Sequence, residues 1–300
     1  MIETLRYKIH EVEPYMNWLY FFYAWQLPSR YGSIAFVHDC ESCKAQWIGQ
    51  FDEAEQAQAR EAAKLFADAK QMLGSWDQSY CTLGRLGLFA ANGDGDDVVL
   101  RLDDGEMLRL PFLRQQQQFS DGRPNLCLAD FVKPLGSGED RIGIFAVTVN
   151  DEMEHAGDGD VYRRMLAQTL CDRLAEATAE LLHMQVRREL WGYSPDEHLT
   201  VGEMFQGKYR GIRPAVGYPS MPDQSLNFLL DEAIDFSQIG LRLTENGAMS
   251  PHGSVSGLMI GYSGAKYFNI GKIGDDQFRD YARRRGLPRE RVAQFLRSNL

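Results

Sequence analysis

The sequence predicts an α+β fold: one domain over residues 1–300, with an antiparallel, twisted sheet and flanking helices. Three observations carry this. Strand-like and helix-like segments come in blocks rather than in regular βα alternation, which disfavours a doubly wound parallel sheet. Apolar arms around Asp103-Asp104-Gly105 read as a tight hairpin, a connection only antiparallel strands can use. No G-x-G-x-x-G follows a strand, so the usual dinucleotide-binding argument is absent.

The elements follow in order. PYMNWLYFFYAWQL is apolar nearly all round at helical period and is expected to be buried. Asp52 to Leu73 reads as a helix: acidic residues lead it, which suits the helix dipole, and Leu65, Phe66, Ala69, Met72 and Leu73 form a stripe. RLGLFAAN is a short strand, DDVVLRLDDGEMLRLPF a hairpin, and RIGIFAVTV a further strand rich in apolar and β-branched residues. VYRRMLAQTLCDRLAEATAELLHMQVRREL is the strongest helix, with Leu166, Leu170, Leu174 and Leu181 on one stripe; Trp191 to Pro195 stops it. A helix is expected near Ser225–Phe236. GLRLTENGAMS, GSVSGLMIGY and AKYFNIGKI read as three strands, the last two joined by a turn at Ser263-Gly264-Ala265. A helix near Asp275–Arg285 closes at Gly286, and another begins with Pro288 in its first turn.

Composition bounds the function. Hydrophobic residues make up 44% and charged residues 25%, ordinary for a globular chain with a large core. A net charge of −10 argues against nucleic-acid and membrane surfaces, because phosphates need a basic footprint. No apolar run approaches the roughly 18 residues of a membrane span, and no signal peptide is visible. The five cysteines are read as reduced and the protein as cytoplasmic. Cys40-Glu41-Ser42-Cys43 has C-x-x-C spacing, with His38 close by, but one pair supplies only two metal ligands and no metal site is assigned. Glu176, Glu180, His183 and Arg187 share the helix face opposite the leucine stripe; such a face is usually solvated, and alternatively lines a groove for a polar or cationic ligand. No G-x-S-x-G, P-loop or H-E-x-x-H is present.

Lys208 to Gln224, KYRGIRPAVGYPSMPDQ, is neither helix nor regular strand. Pro214 and Pro219 fix their own φ and push Arg213 and Tyr218 towards extended conformations, and Gly217 permits a close approach or a positive φ. The run is a shaped loop that crosses a core or offers groups to a ligand.

QGKYRGIRPAVGYPSMPD, LRLTENGAMSPHGSVSGLMIGYSGAKYFNIGKI and DYARRRGLPRERVAQFL resemble the activation domain of cobalamin-dependent methionine synthase. The R-x-x-x-G-Y signature of that family is here Arg213-Pro214-Ala215-Val216-Gly217-Tyr218, and FFYAWQL, LCLADFVKP, DRLAEATAELLH and WGY extend the likeness over almost the whole chain in the same order. The resemblance implies a domain that binds S-adenosylmethionine in a shallow groove. It supports reductive methylation of cob(II)alamin carried by a partner protein, with a flavodoxin-type donor supplying one electron. It implies Arg213 as partner of the methionyl carboxylate and Ala215 and Gly217 as a narrow loop whose backbone reaches the ligand. Tyr218, Tyr267 and Phe268 are implied as aromatic neighbours, and Glu176 as a carboxylate near the ammonium or sulfonium. Asn17 stands where the family commonly has an aspartate, Met221 where it often has a cysteine and Gln224 where it often has a histidine.

No homocysteine, folate or cobalamin module fits in 300 residues, and no D-x-H-x-x-G motif is present. The expectation is either an excised fragment or, the favoured reading, a free-standing activator, silent without its partner, acting on a separate methionine synthase chain. The alternatives are a reactivator of another corrinoid methyltransferase and an interaction module that has lost S-adenosylmethionine.

Overall fold

The computed structural model describes residues 1–300, and it has the predicted α+β architecture. The strands are β1 (Ile2–Lys8), β2 (Cys81–Asp94), β3 (Asp97–Arg101), β4 (Met107–Pro111), β5 (Asp140–Val149), β6 (Arg242–Leu243), β7 (Met249–Ser250) and β8 (Ser254–Met259). The α-helices are α1 (Ile9–Val12), α2 (Trp18–Ala24), α3 (Glu41–Ile48), α4 (Glu53–Trp76), α5 (Asp151–Glu154), α6 (Val161–Gln185), α7 (Val201–Phe205), α8 (Leu226–Ile234), α9 (Asp275–Arg285) and α10 (Arg289–Phe295).

Six strands form one antiparallel sheet in the order β4-β3-β2-β5-β8, with β1 also on β2. The length of β2 makes this possible: residues 81–87 pair with β1 and residues 90–94 with β3, while its other edge pairs with β5. Period-two alternation then sends side chains to two cores. Leu86, Leu88, Phe145 and Val147 face α6, against Ala175, Ala179 and Leu182. Phe89, Ala91, Ile144 and Ala146 face the other way, against Leu226, Leu230 and Ile234 of α8. Thr178 on α6 donates to Thr82 on β2 at 2.8 Å, so this buried polar pair is satisfied. The predicted aromatic helix packs with α4 and the first half of α6 in a third core, where Phe21 and Phe22 are fully buried.

The hairpin at Asp103-Asp104-Gly105 joins β3 to β4 as expected. Four readings are corrected. RLGLFAAN is the middle of a 14-residue strand. The N-terminal segment is a strand that the sequence reading did not assign. GLRLTENGAMS is two two-residue strands around a turn. AKYFNIGKI is irregular chain, not a strand, so no hairpin forms at Ser263–Ala265.

The physical reason for the last is that the edge of β8 is already taken. Residues 212–216 lie along it: Ile212 and Ile260 exchange backbone hydrogen bonds at 3.0 Å, Leu258 N donates to Pro214 O at 2.9 Å, and Val216 N donates to Ser256 O at 3.0 Å. The proline-rich loop thus covers an edge strand that would otherwise expose unpaired backbone. The approach is close: a Cβ on Gly257 would lie 2.2 Å from Pro214 O. Ala265 and Phe268 of the irregular segment pack on one core, and Ile270 and Ile273 belong to another, so their apolar character serves packing without a ladder.

Candidate functional site

The loop on β8 and the polar face of α6 define the site between them. Two adjoining clefts, of about 590 and about 500 Å³, share Glu176, Arg213, Tyr218 and Tyr267. The larger also takes in Asn17, Tyr20, Glu180 and Tyr209; the smaller also takes in Pro214, Ala215, Ser220 and Phe268. Seven of the eight residues singled out from the sequence therefore line one continuous groove. Gly217 lines neither cleft. It sets the turn instead, with φ at +88° and its N–H donating to Met221 O at 2.9 Å.

Each side chain is held by a neighbour. Tyr218 Oη donates to Glu176 Oε1 at 2.5 Å, bridging loop and helix across the groove. Burial first, and then the Glu176 carboxylate, push the Tyr218 phenol well above its ordinary value, so it stays protonated as a donor. Tyr267 Oη accepts from the backbone N–H of Arg213 at 2.8 Å and lies 3.1 Å from Tyr209 Oη. Tyr218 and Tyr267 are nonetheless half-exposed, so both offer ring faces to the groove. Asn17 Oδ1 accepts from Leu19 N at 3.1 Å and so caps α2. Phe268 meets Phe131 edge-on, with ring centroids 6.1 Å apart.

Arg213 is not a free fork waiting for a carboxylate. Its Nη2 donates to Glu180 Oε2 at 2.9 Å, and both side chains are about nine-tenths buried (10% and 9% exposed). Burial pulls the guanidinium pKa down, but Glu180, with Tyr267, Glu176 and Tyr209 behind it, outweighs this and the net shift is upward, so Arg213 is charged. Arg213 Nε and Glu180 Oε1 are buried without partners. The sequence placed Glu180 on the correct helix face but gave it no role; its four-residue spacing from Glu176 was the available signal. Tyr209, two residues into the quoted loop, carried no sequence signal of its own.

Of the two readings of this helix face the solvated one is corrected: Glu176 and Glu180 line the groove, and the part of the face beyond them is buried. Residues 204–213 cover it, and His183 and Arg187 are fully inaccessible. A π-helical turn, Val186–Leu190, continues α6 and carries Arg187, which forms an ion pair with Glu197 at 2.7 Å. The Arg187 guanidinium lies 4.5 Å from the centroid of the Tyr209 ring, and His183 meets the same ring edge-on at 4.8 Å. Burial first, then the Arg187 and Arg213 charges, hold His183 well below its ordinary value of 6.5. The sign of the pH effect follows. The unfolded chain takes up a proton at His183 near pH 6.5 and the folded chain does not, so stability falls as pH drops below about 6.5. The expected slope from this one group approaches about 1.4 kcal/mol per pH unit well below pH 6.5, and the dependence fades out by about pH 8. Urea unfolding of the parent and His183→Leu between pH 5 and 8 measures it; equal slopes below pH 6.5 would show that His183 is protonated in the fold.

The expectation that all five cysteines are reduced is corrected at one pair: Cys40 and Cys43 are joined in a disulfide. Cys81, Cys127 and Cys171 are free. No helix is long and apolar enough to cross a membrane.

The family described as vitamin B12 dependent methionine synthase, activation domain, matches residues 8–286. Among solved structures, the chain is similar to the crystal structure of the MetH reactivation domain bound to AdoHcy. The two are 36% identical, with a TM-score of 0.88 over 100% of this chain and 90% of that one.

Proposed function

The chain belongs to the family of activation domains of vitamin B12 dependent methionine synthase, and from that premise we propose that it binds S-adenosylmethionine in the groove between α6 and the 208–224 loop. Its task there is to present the sulfonium methyl to a corrinoid carried by a cobalamin-binding methionine synthase module. One observation carries the reading: Glu176, Arg213, Tyr218 and Tyr267 meet where the two clefts join. A cationic guanidinium, a carboxylate and two half-exposed phenols at one point complement a ligand bearing a carboxylate, an ammonium, a sulfonium and a flat heterocycle. That the similar MetH reactivation domain is bound to AdoHcy, the demethylated form of this ligand, supports the same choice.

In this reading the methionyl end occupies the larger cleft, where Asn17 and Glu180 add polar groups to the shared Arg213 and Glu176. The adenosine lies in the smaller one, against Phe268 and beside the Ala215 and Ser220 backbone. Tyr218 and Tyr267 flank the sulfur between them. The corrinoid supplies the methyl acceptor, after one-electron reduction by a flavodoxin-type donor. The domain's own contribution is to hold the methyl in near-attack geometry with one side of the groove open to its partner. In this reading Tyr20, Tyr23 and Phe36, at 60%, 74% and 92% exposure and lining a cleft that shares Asn17 and Tyr20 with the groove, form the docking rim. The protein works in the cytoplasm.

The test is a mixture of this chain, a cob(II)alamin-loaded methionine synthase fragment, a one-electron reductant and S-adenosylmethionine, followed by absorbance. Methylcobalamin is expected only with all four components, and Tyr267→Ala is expected to suppress it. Methyl transfer to a small acceptor without any corrinoid protein would replace this reading with that of an independent methyltransferase.

Asn17 gives a graded check. It lines the larger cleft while capping α2. Asn17→Asp keeps a capping oxygen and adds a negative charge beside the proposed ammonium position. Binding is expected to tighten about fivefold, for roughly 1 kcal/mol of charge assistance, with the gain shrinking in salt. Unchanged affinity by calorimetric titration would mean that the ammonium lies elsewhere.

A further inference from the structure

A cluster outside the groove is unused by this function. His38, Cys40 and Cys43 place one imidazole nitrogen and two sulfurs within 4.8 Å of one another at the surface end of α3. Cys40 is the N-cap of that helix, and its Sγ accepts the backbone N–H of Cys43 at 3.2 Å. Asp39 and Glu41 flank the cluster, and Lys44, the adjacent cation, is already paired with Asp39 at 2.7 Å.

We propose that, with its two cysteines reduced, this cluster is a binding site for a borderline-soft divalent cation of the zinc class, held by His38, Cys40 and Cys43 with solvent in the fourth position. The S₂N donor set is one that tetrahedral zinc takes, with bonds to sulfur and nitrogen of about 2.3 and 2.0 Å, once the Cys40–Cys43 bond is broken and the two sulfurs separate. A disulfide needs only the two cysteines; the third donor, His38, is what points to a cation. Two thiolates also neutralise the charge of the dication.

The Cys40–Cys43 disulfide is the closed form of the site. A dithiol reductant opens it. One reductant thiolate attacks a protein sulfur, breaking the S–S bond and forming a mixed disulfide. The second reductant thiol displaces it, leaving the reductant oxidised and both protein cysteines as thiols. Cation binding then releases the two thiol protons, so affinity falls in acid. Either form, disulfide or cation-bound, ties down the turn that follows Phe36, a residue of the apolar cleft that shares Asn17 and Tyr20 with the ligand groove.

The experiment titrates the full chain with Zn²⁺, scored by competition against a chromophoric chelator, after dithiol reduction and removal of the reductant. One zinc per reduced chain is expected, and none at this site once the pair is reoxidised. Cys40→Ser keeps a hydroxyl at the N-cap, so the helix start survives. It and His38→Ala are each expected to weaken zinc binding by at least the ~10–100-fold that loss of a supporting outer-shell partner costs. Both should leave S-adenosylmethionine binding unchanged, because neither residue lines the groove. No zinc uptake by the reduced chain, or uptake undiminished by either substitution, overturns the assignment.

Discussion

Arg213→Ala is expected to do two separable things: weaken S-adenosylmethionine binding roughly 10- to 100-fold, and destabilise the fold by about 3–5 kcal/mol. The first is the loss of charge-assisted hydrogen bonds to the ligand carboxylate, about 1.5–3 kcal/mol. The second comes from the free protein. Glu180 is 9% exposed and its charge partner is Arg213, so truncation leaves a buried carboxylate uncompensated. A binding defect in this variant alone is therefore ambiguous. Arg213→Leu combined with Glu180→Leu resolves it, because replacing both members of a buried pair by apolar residues is often neutral. The double variant is expected to recover most of the stability and none of the affinity. Urea unfolding and calorimetric titration on the same samples read the two effects. If the double variant binds as tightly as the parent, Arg213 is a structural arginine and the carboxylate lies elsewhere.

The Arg213–Glu180 pair also marks where sequence reasoning stopped. The leucine stripe of α6 was legible because it repeats at helical period, and the β3–β4 hairpin because Asp103-Asp104-Gly105 separates two apolar arms. The opposite face of α6 was legible as a face but not in its environment. Periodicity reports that Glu180, His183 and Arg187 lie together, not that residues 204–213 fold over them. The 265–273 segment misled for a related reason: its apolar residues are real, but the edge they would have paired with is taken by the 212–216 run. β1 went unread because its apolar residues are few and its sheet faces are only partly covered. The groove residues Arg213, Ala215, Tyr218, Tyr267, Phe268, Glu176 and Asn17 came from likeness to a family; spacing alone would have left Tyr267 and Phe268 as ordinary alternation.

Arg187→Ala is expected to cost about 3–5 kcal/mol and to weaken ligand binding from a distance. Arg187 is fully buried, and its Nε lies 2.8 and 3.0 Å from the two carboxylate oxygens of Glu197, itself 9% exposed. Removing the guanidinium strands that carboxylate, the same penalty as at Glu180. It also takes away a donor to Met204 Sδ at 3.5 Å and the cation over the Tyr209 ring. Those contacts hold the 204–213 cover onto α6. Tyr209 meets Tyr267 through their hydroxyls, and Tyr267 accepts the Arg213 N–H, so the loss reaches the groove through packed neighbours. Arg187→Lys is expected to be intermediate, since a point charge cannot reproduce the fork that spans both Glu197 oxygens. Arg187→Met with Glu197→Leu should restore the unfolding midpoint but not the stacking on Tyr209. Its S-adenosylmethionine affinity should therefore stay below the parent's, although the protein is fully folded. Parent-like affinity in that double variant would mean that the buried ion pair stabilises the fold without positioning Tyr209, and that the groove is set by the loop on β8 alone.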